Sequence, residues 1–127
     1  MRMATISLWN VNMNSDAKTL TDIKQRFARD FLDVVVLRLI QVKPRWGYEI
    51  MTEVRNAFQI KIGAGRIYPL LSGLEANGLI KSRWRYEGRK RKKLYEITPQ
   101  GIQFLESVHN FLKEQVAMHE LHKRILV

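Results

Sequence analysis

Apolar positions along this chain change their period several times, and each change predicts an element. From Ile23 or Lys24 to Val42 there is no Gly or Pro, and Phe27, Phe31, Val34, Val35 and Leu39 fall largely on one helical stripe. Thr21 or Asp22 can cap its start with a side-chain oxygen. Phe31 to Ile40 is apolar nearly all round apart from Asp33 and Arg38, which predicts a central helix buried on several sides. The β-branched run Val34-Val35-Val36 points toward a strand, but length and flanking charge decide for helix. Pro44 ends it by disfavouring helical geometry at Lys43. A second helix is expected from Trp46-Gly47-Tyr48-Glu49-Ile50 to about Phe58, with Ile50, Val54 and Phe58 as its stripe. The isoleucines of Gln59-Ile60-Lys61-Ile62-Gly63 should tuck beneath the domain. A third helix follows, its face made of Ile67, Leu70, Leu71 and Leu74, and Asn77-Gly78 supplies a left-handed stop.

Beyond Gly78 the pattern becomes alternating. Lys81, Arg83 and Arg85 should point one way from a strand, with Ile80, Ser82, Trp84 and Tyr86 on the other side. Glu87-Gly88 has turn chemistry, the basic run Arg89-Lys90-Arg91-Lys92-Lys93 is placed at a hairpin tip, and Leu94 to Ile97 closes the ribbon. Trp84 and Tyr86, interleaved with Lys and Arg, could stack single-stranded bases, but packing of the hairpin on the helices is the simpler expectation. Thr98 is a good N-cap, with Pro99 at a tolerant first-turn position. One long helix should then run from Ile102 to about Lys123. Phe104, Val108, Phe111, Gln115, Met118, His122 and Ile125 form a heptad-like seam, widened by Leu105, Leu112 and Val116. A helix this long cannot bury both stripes on its own small domain, so a second copy is the expected cover.

The resulting fold class is mainly α with a small β-hairpin: a winged helix-turn-helix plus a long C-terminal dimerisation helix. Residues 1–22 read as an N-terminal arm, 23–98 as the winged-helix DNA-binding domain and 99–127 as the dimerisation helix. In the arm, Ala4, Ile6 and Leu8 alternate as a short strand would. Asn10, Asn12, Asn14 and Ser15 break that pattern. A flexible arm is the simpler reading; its apolar content also suits docking on a partner subunit.

Charge changes the picture. With 22 Lys and Arg against 12 Asp and Glu, the chain carries a formal +10. The segment Lys81 to Lys93 alone holds eight basic residues and one acidic residue. Such clustering favours a polyanion, duplex DNA above all. There is no cysteine, hence no disulfide, thiolate metal site or thiol nucleophile. No apolar run suffices to span a membrane and no signal peptide is evident, so a cytoplasmic protein without membrane contact is expected. His119 and His122 share a helix face without a third ligand at suitable spacing, and Glu106 with His109 is no stronger. No metal or other cofactor is read. No paired-acid or phosphate-loop constellation suggests an enzyme.

The candidate DNA contacts follow from the fold. Arg66, at the start of the third helix, can pair with guanine or clamp a phosphate. Tyr68 and Ser72 offer hydroxyls to the backbone, Lys61 precedes the helix, and Gly65 permits close approach. Arg83 with the wing residues Arg89, Lys90, Arg91 and Lys92 should lie along the backbone or in the minor groove. Dimerisation is assigned to Phe104, Val108, Phe111, Leu112, Gln115 and Met118. Symmetry then implies a pseudo-palindromic operator. The alternatives are a non-specific or architectural DNA-binding protein, and a winged-helix module that docks an acidic protein.

These motifs resemble the PadR family of winged-helix regulators. The matching residues are Trp46-Gly47-Tyr48-Glu49-Ile50, then Gly65-Arg66-Ile67-Tyr68-Pro69-Leu70-Leu71 and Leu74-Glu75-Ala76-Asn77-Gly78-Leu79-Ile80. Gly88 to Leu94 followed by Tyr95-Glu96-Ile97-Thr98-Pro99-Gln100-Gly101 completes the pattern. The resemblance implies a homodimeric DNA-binding regulator, with repression the favoured sense. In many members a small hydrophobic effector binds near the dimer interface. Arg66 stands where the family usually has Thr, Trp46 replaces a smaller or polar residue, and the arm before Lys24 is longer than typical.

Overall fold

The computed structural model describes residues 13–126. The strand expected over Ala4 to Leu8 lies outside the described residues. Two helices replace the single long one expected at the start: α1 (Met13–Asp30) and α2 (Leu32–Val42). The break falls at Phe31, whose φ of −110° and ψ of 35° leave helical geometry. Just beyond it, the Asp33 carboxylate accepts the Val34 N–H at 2.8 Å, a local bond that competes with a continuous backbone ladder. The apolar stripe runs straight through the bend, with the Phe27 and Phe31 rings stacked 5.0 Å apart, so periodicity registers one helix. The helix also begins well before Ile23. Its polar early turns are supported by Thr21 donating to the Ala17 carbonyl and by an Asp22–Arg26 ion pair at 3.1 Å.

The core is built around α2, whose Val34, Val35, Val36, Leu37 and Ile40 are buried. Helix α3 (Gly47–Phe58) packs Ile50 and Val54 against it, and Ile60 and Ile62 of the connector are buried as expected. Between α2 and α3 lies a two-residue strand, β1 (Arg45–Trp46), too short to leave a periodic signal. It pairs with β3 through Arg45 opposite Tyr95 and Trp46 opposite Leu94. The wing is therefore a three-stranded antiparallel sheet of order β1-β3-β2 rather than a free ribbon. Arg45 is the one buried charged residue among those described; it donates to the Leu39 carbonyl and pairs with Glu53.

Helix α4 (Ala64–Ala76) buries Ile67, Leu71 and Leu74. The Gly63 carbonyl accepts from both Arg66 and Ile67, so Pro69 falls in the second turn and not the first. Its missing N–H removes the usual donor to the Gly65 carbonyl, and both residues are exposed, within reach of solvent. Termination rests on Gly78 alone, at φ 76°, since Asn77 stays at φ −83°.

Strands β2 (Ile80–Glu87) and β3 (Lys90–Ile97) pair from Ile80–Ile97 to Glu87–Lys90. The last helix, α5 (Pro99–Leu126), starts where Thr98 accepts the Gly101 N–H at 3.1 Å and donates to the Gly78 carbonyl at 2.6 Å. Its first turns pack on α2, burying Leu105 and partly burying Phe104 and Val108. At ~1.5 Å per residue it extends roughly 40 Å, well past that support.

Candidate nucleic-acid interface

Helical spacing sorts the side chains of α4. With Ile67, Leu71 and Leu74 inward, Gly65, Pro69, Ser72 and Ala76 point outward, and Arg66 and Tyr68 sit on opposite flanks. The outward surface is small and uncharged, which lets the helix axis come close to another surface. Arg66 leans toward α1, where its guanidinium donates to the Arg29 carbonyl at 2.8 Å. One of its five N–H donors is thereby used, and the residue is otherwise exposed. Tyr68 leans toward α3 and rests on Gly47; a methyl group at position 47 would lie 2.6 Å from the ring. Lys61 is exposed just before α4.

The basic run does not sit at a hairpin tip. Gly88, at φ 63°, and Arg89 form a two-residue turn of the II′ kind, which leaves Glu87 paired with Lys90 and draws Lys90 to Lys93 into β3. Strand alternation then divides the cations between two faces. On one face Glu96 holds Arg83 at 2.5 Å and Lys81 at 3.8 Å, and Glu87 holds Lys92 at 3.4 Å. The Tyr48 hydroxyl donates to the same Glu87 carboxylate at 2.9 Å, with Lys92 4.5 Å above its ring, tying the wing tip to α3. That hydrogen bond, with some burial and the nearby negative charges, raises the Tyr48 pKa, so the donor is intact at neutral pH.

On the other face stand Trp84, Tyr86, Arg91 and Lys93. The Arg91 guanidinium lies 4.7 Å and the Lys93 ammonium 5.3 Å from the Trp84 ring centre. Among the described residues no carboxylate lies within ion-pair distance of either. The expected packing of the aromatic pair on the helices is not observed: Trp84 is 54% exposed and Tyr86 75%. The hairpin projects beyond the helices, and only its root residues Ile80 and Tyr95 are buried in the core. In the sequence Trp84 is marked only by being aromatic between two arginines.

Between this face and α4 lies a cleft of about 580 Å3, reached by Tyr68, Ser72, Trp84, Lys92 and Lys93. The structure thus brings Tyr68, Ser72 and Lys92 to one cleft, which Lys92 reaches from the face of β3 opposite to Arg91, while Gly65 lies on the same outward side of α4 as Ser72. Arg83 goes to the opposite face of the hairpin from Arg91, Arg89 occupies the turn, and Arg66 lies on the α1 flank.

The assigned dimerisation residues lie along α5. Phe104 and Val108 are shared with the chain's own core, whereas Phe111 is 57%, Val116 63% and Met118 63% exposed. Leu112 and Gln115 are exposed beside them. A second cleft, of about 420 Å3, runs between α1–α2 and α5, lined by Phe27, Phe31, Phe104 and Phe111. Among the described residues no group of three or more His, Cys, Asp or Glu side chains could hold a metal ion. No helix among them is long and apolar enough to cross a membrane.

This geometry has relatives. A PadR-like transcription factor from Bacteroides fragilis superposes with a TM-score of 0.67 at 22% identity, over 78% of this chain and 96% of that one. A PadR family transcriptional regulator from Eggerthella lenta gives 0.64 at 26%, over 87% and 96%. An uncharacterized protein of Lysinibacillus sphaericus is 33% identical over 105 residues, covering 78% of this chain and 91% of that protein. The family model described as the transcriptional regulator PadR-like family matches residues 36–107, from the middle of α2 into α5. The chain therefore belongs to the PadR-like family of transcriptional regulators.

Proposed function

We propose that two copies of this chain bind a pseudo-palindromic DNA operator and repress transcription from it. Helix α4 enters the major groove, and the wing lies along the backbone or in the minor groove. The observation that carries this reading is the shared side of α4 and the wing: a small, uncharged helix face beside cations that no carboxylate neutralises. A duplex supplies both the groove and the phosphates. Membership of a transcription-regulator family supports DNA as the partner.

The apolar stripe of α5 beyond Asn110 supports dimerisation, because among the described residues it stays exposed. A second copy laid along that stripe would also close the cleft of aromatic side chains, giving a small hydrophobic effector a place beside the interface.

Selection of bound sequences from a random duplex pool at fixed salt tests the proposal. A consensus with two half-sites about one helical turn, ~34 Å, apart supports it. The neutral surface of α4 favours one rival, a non-specific DNA protein, and that rival predicts no consensus. Within the proposed mode, Arg66→Ala relaxes the consensus at one position per half-site. Arg89→Ala with Lys90→Ala weakens all duplexes about equally. Competition with scrambled duplexes separates the two.

Gly47→Ala provides an independent check on Tyr68. The added methyl meets the far end of a flexible ring, so the fold survives with a melting point close to that of the parent. Tyr68 is pushed from its seat, and affinity falls several-fold. Equal affinity for the two proteins removes Tyr68 from the contact list.

A further inference from the structure

Resting on the DNA-binding reading above, we infer that the gripping side of the wing is the Trp84 face. There the indole aligns Arg91 and Lys93 onto a single strand of the duplex. The opposite face of the hairpin carries Lys81, Arg83 and Lys92, but Glu96 and Glu87 already hold these cations. Arg85 and Lys90 on that face have no acidic partner either, but among the described residues only on the Trp84 face do cations without such a partner, Arg91 and Lys93, stand against an aromatic ring. Both of them lie over one exposed ring, at 4.7 Å and 5.3 Å.

Two like charges on one strand face repel each other and, unassisted, would swing apart. The negative face of an indole offsets that repulsion and holds both near one place. Trp84 and Lys93 line the cleft that Tyr68 and Ser72 of α4 also line. A sugar–phosphate strand passing from the groove occupied by α4 toward the wing meets hydroxyl donors on one side and the two cations on the other. Trp84 is thus a positioning residue: its apolar exposure serves the arrangement of Arg91 and Lys93.

The test uses the full chain and a fluorescently labelled mixed-sequence duplex of about 30 base pairs, with affinity followed against ionic strength. Trp84→Leu is expected to weaken binding roughly fivefold or more and to flatten the log–log salt slope by about one unit. Trp84→Phe, which keeps a ring face, restores most of both. Placed on an Arg91→Gln, Lys93→Gln background, Trp84→Leu adds little further loss, because the cations it positions are gone. Lys81→Gln, on the other face, binds like the parent. Far-ultraviolet circular dichroism confirms that each variant is folded.

A Trp84→Leu protein with parental affinity and slope overturns the inference, and so does a loss that adds in full to that of the two cation substitutions. Either result leaves the DNA-binding reading standing. A parent protein that binds no duplex brings down that reading, and this inference with it.

Discussion

Gly101→Ala lowers the stability of this chain by about 3 kcal/mol and its melting point by on the order of 10 °C. The added methyl would sit 2.1 Å from the Leu79 carbonyl oxygen and 2.7 Å from the Ile97 side chain. That carbonyl is backbone and already accepts the Thr98 N–H at 3.1 Å, so it has no flexible end to swing away. Relief requires α5 to lift from the root of the wing. Lifting breaks the Thr98 cap and its 2.6 Å bond to Gly78, and so loosens the join between the long helix and the half that carries α4 and the wing. Gly73→Ala is the matched control. A methyl there meets nothing within 4 Å, and alanine is the better helix former, so stability should rise by a few tenths of a kcal/mol to ~1 kcal/mol. Thermal melts at one protein concentration compare the three proteins. Parental stability in Gly101→Ala would show that α5 does not bear on Leu79 as described.

The second large effect concerns assembly. Phe111→Glu combined with Met118→Glu is expected to yield a folded monomer whose affinity for a two-half-site duplex is at least ~100-fold weaker than the parent's. Both side chains are mostly exposed on the domain alone, so neither substitution removes core packing. Each places a charge where the second copy should bring an apolar surface. The large loss arises because two linked half-sites bind as one event in the dimer and as separate events in the monomer. Sedimentation velocity gives the mass and fluorescence anisotropy the affinity. A parent protein that is monomeric at micromolar concentration removes this part of the account. So does a double variant that still sediments as a dimer.

Much of the fold was legible because its signals were local. Ile67, Leu71 and Leu74 announced α4, Gly78 its end, and Thr98 the start of α5, each by chemistry acting within a few residues. What the pattern missed depended on distant partners. Strand β1 is two residues long and exists through pairing with β3, so nothing at Arg45–Trp46 marks it. The bend at Phe31 leaves the apolar stripe unbroken. The basic run reads as a hairpin tip because no local signal shows that Gly88-Arg89 is a complete two-residue turn; the register set by that turn divides the cations between two faces. Being aromatic, Trp84 reads as packed on the helices, but how far the hairpin reaches past them is a tertiary fact. The candidate site was legible as a neighbourhood, α4 plus wing, but the sequence could not say which cations acids already hold.

The most direct test of the central claim is the affinity of the parent protein for a labelled duplex, measured by anisotropy from low to physiological salt. The account predicts tight binding at low salt that weakens steeply, with a log–log slope of several units as neutralised phosphates release their counterions. Absence of binding at low salt, or a flat slope, would contradict it.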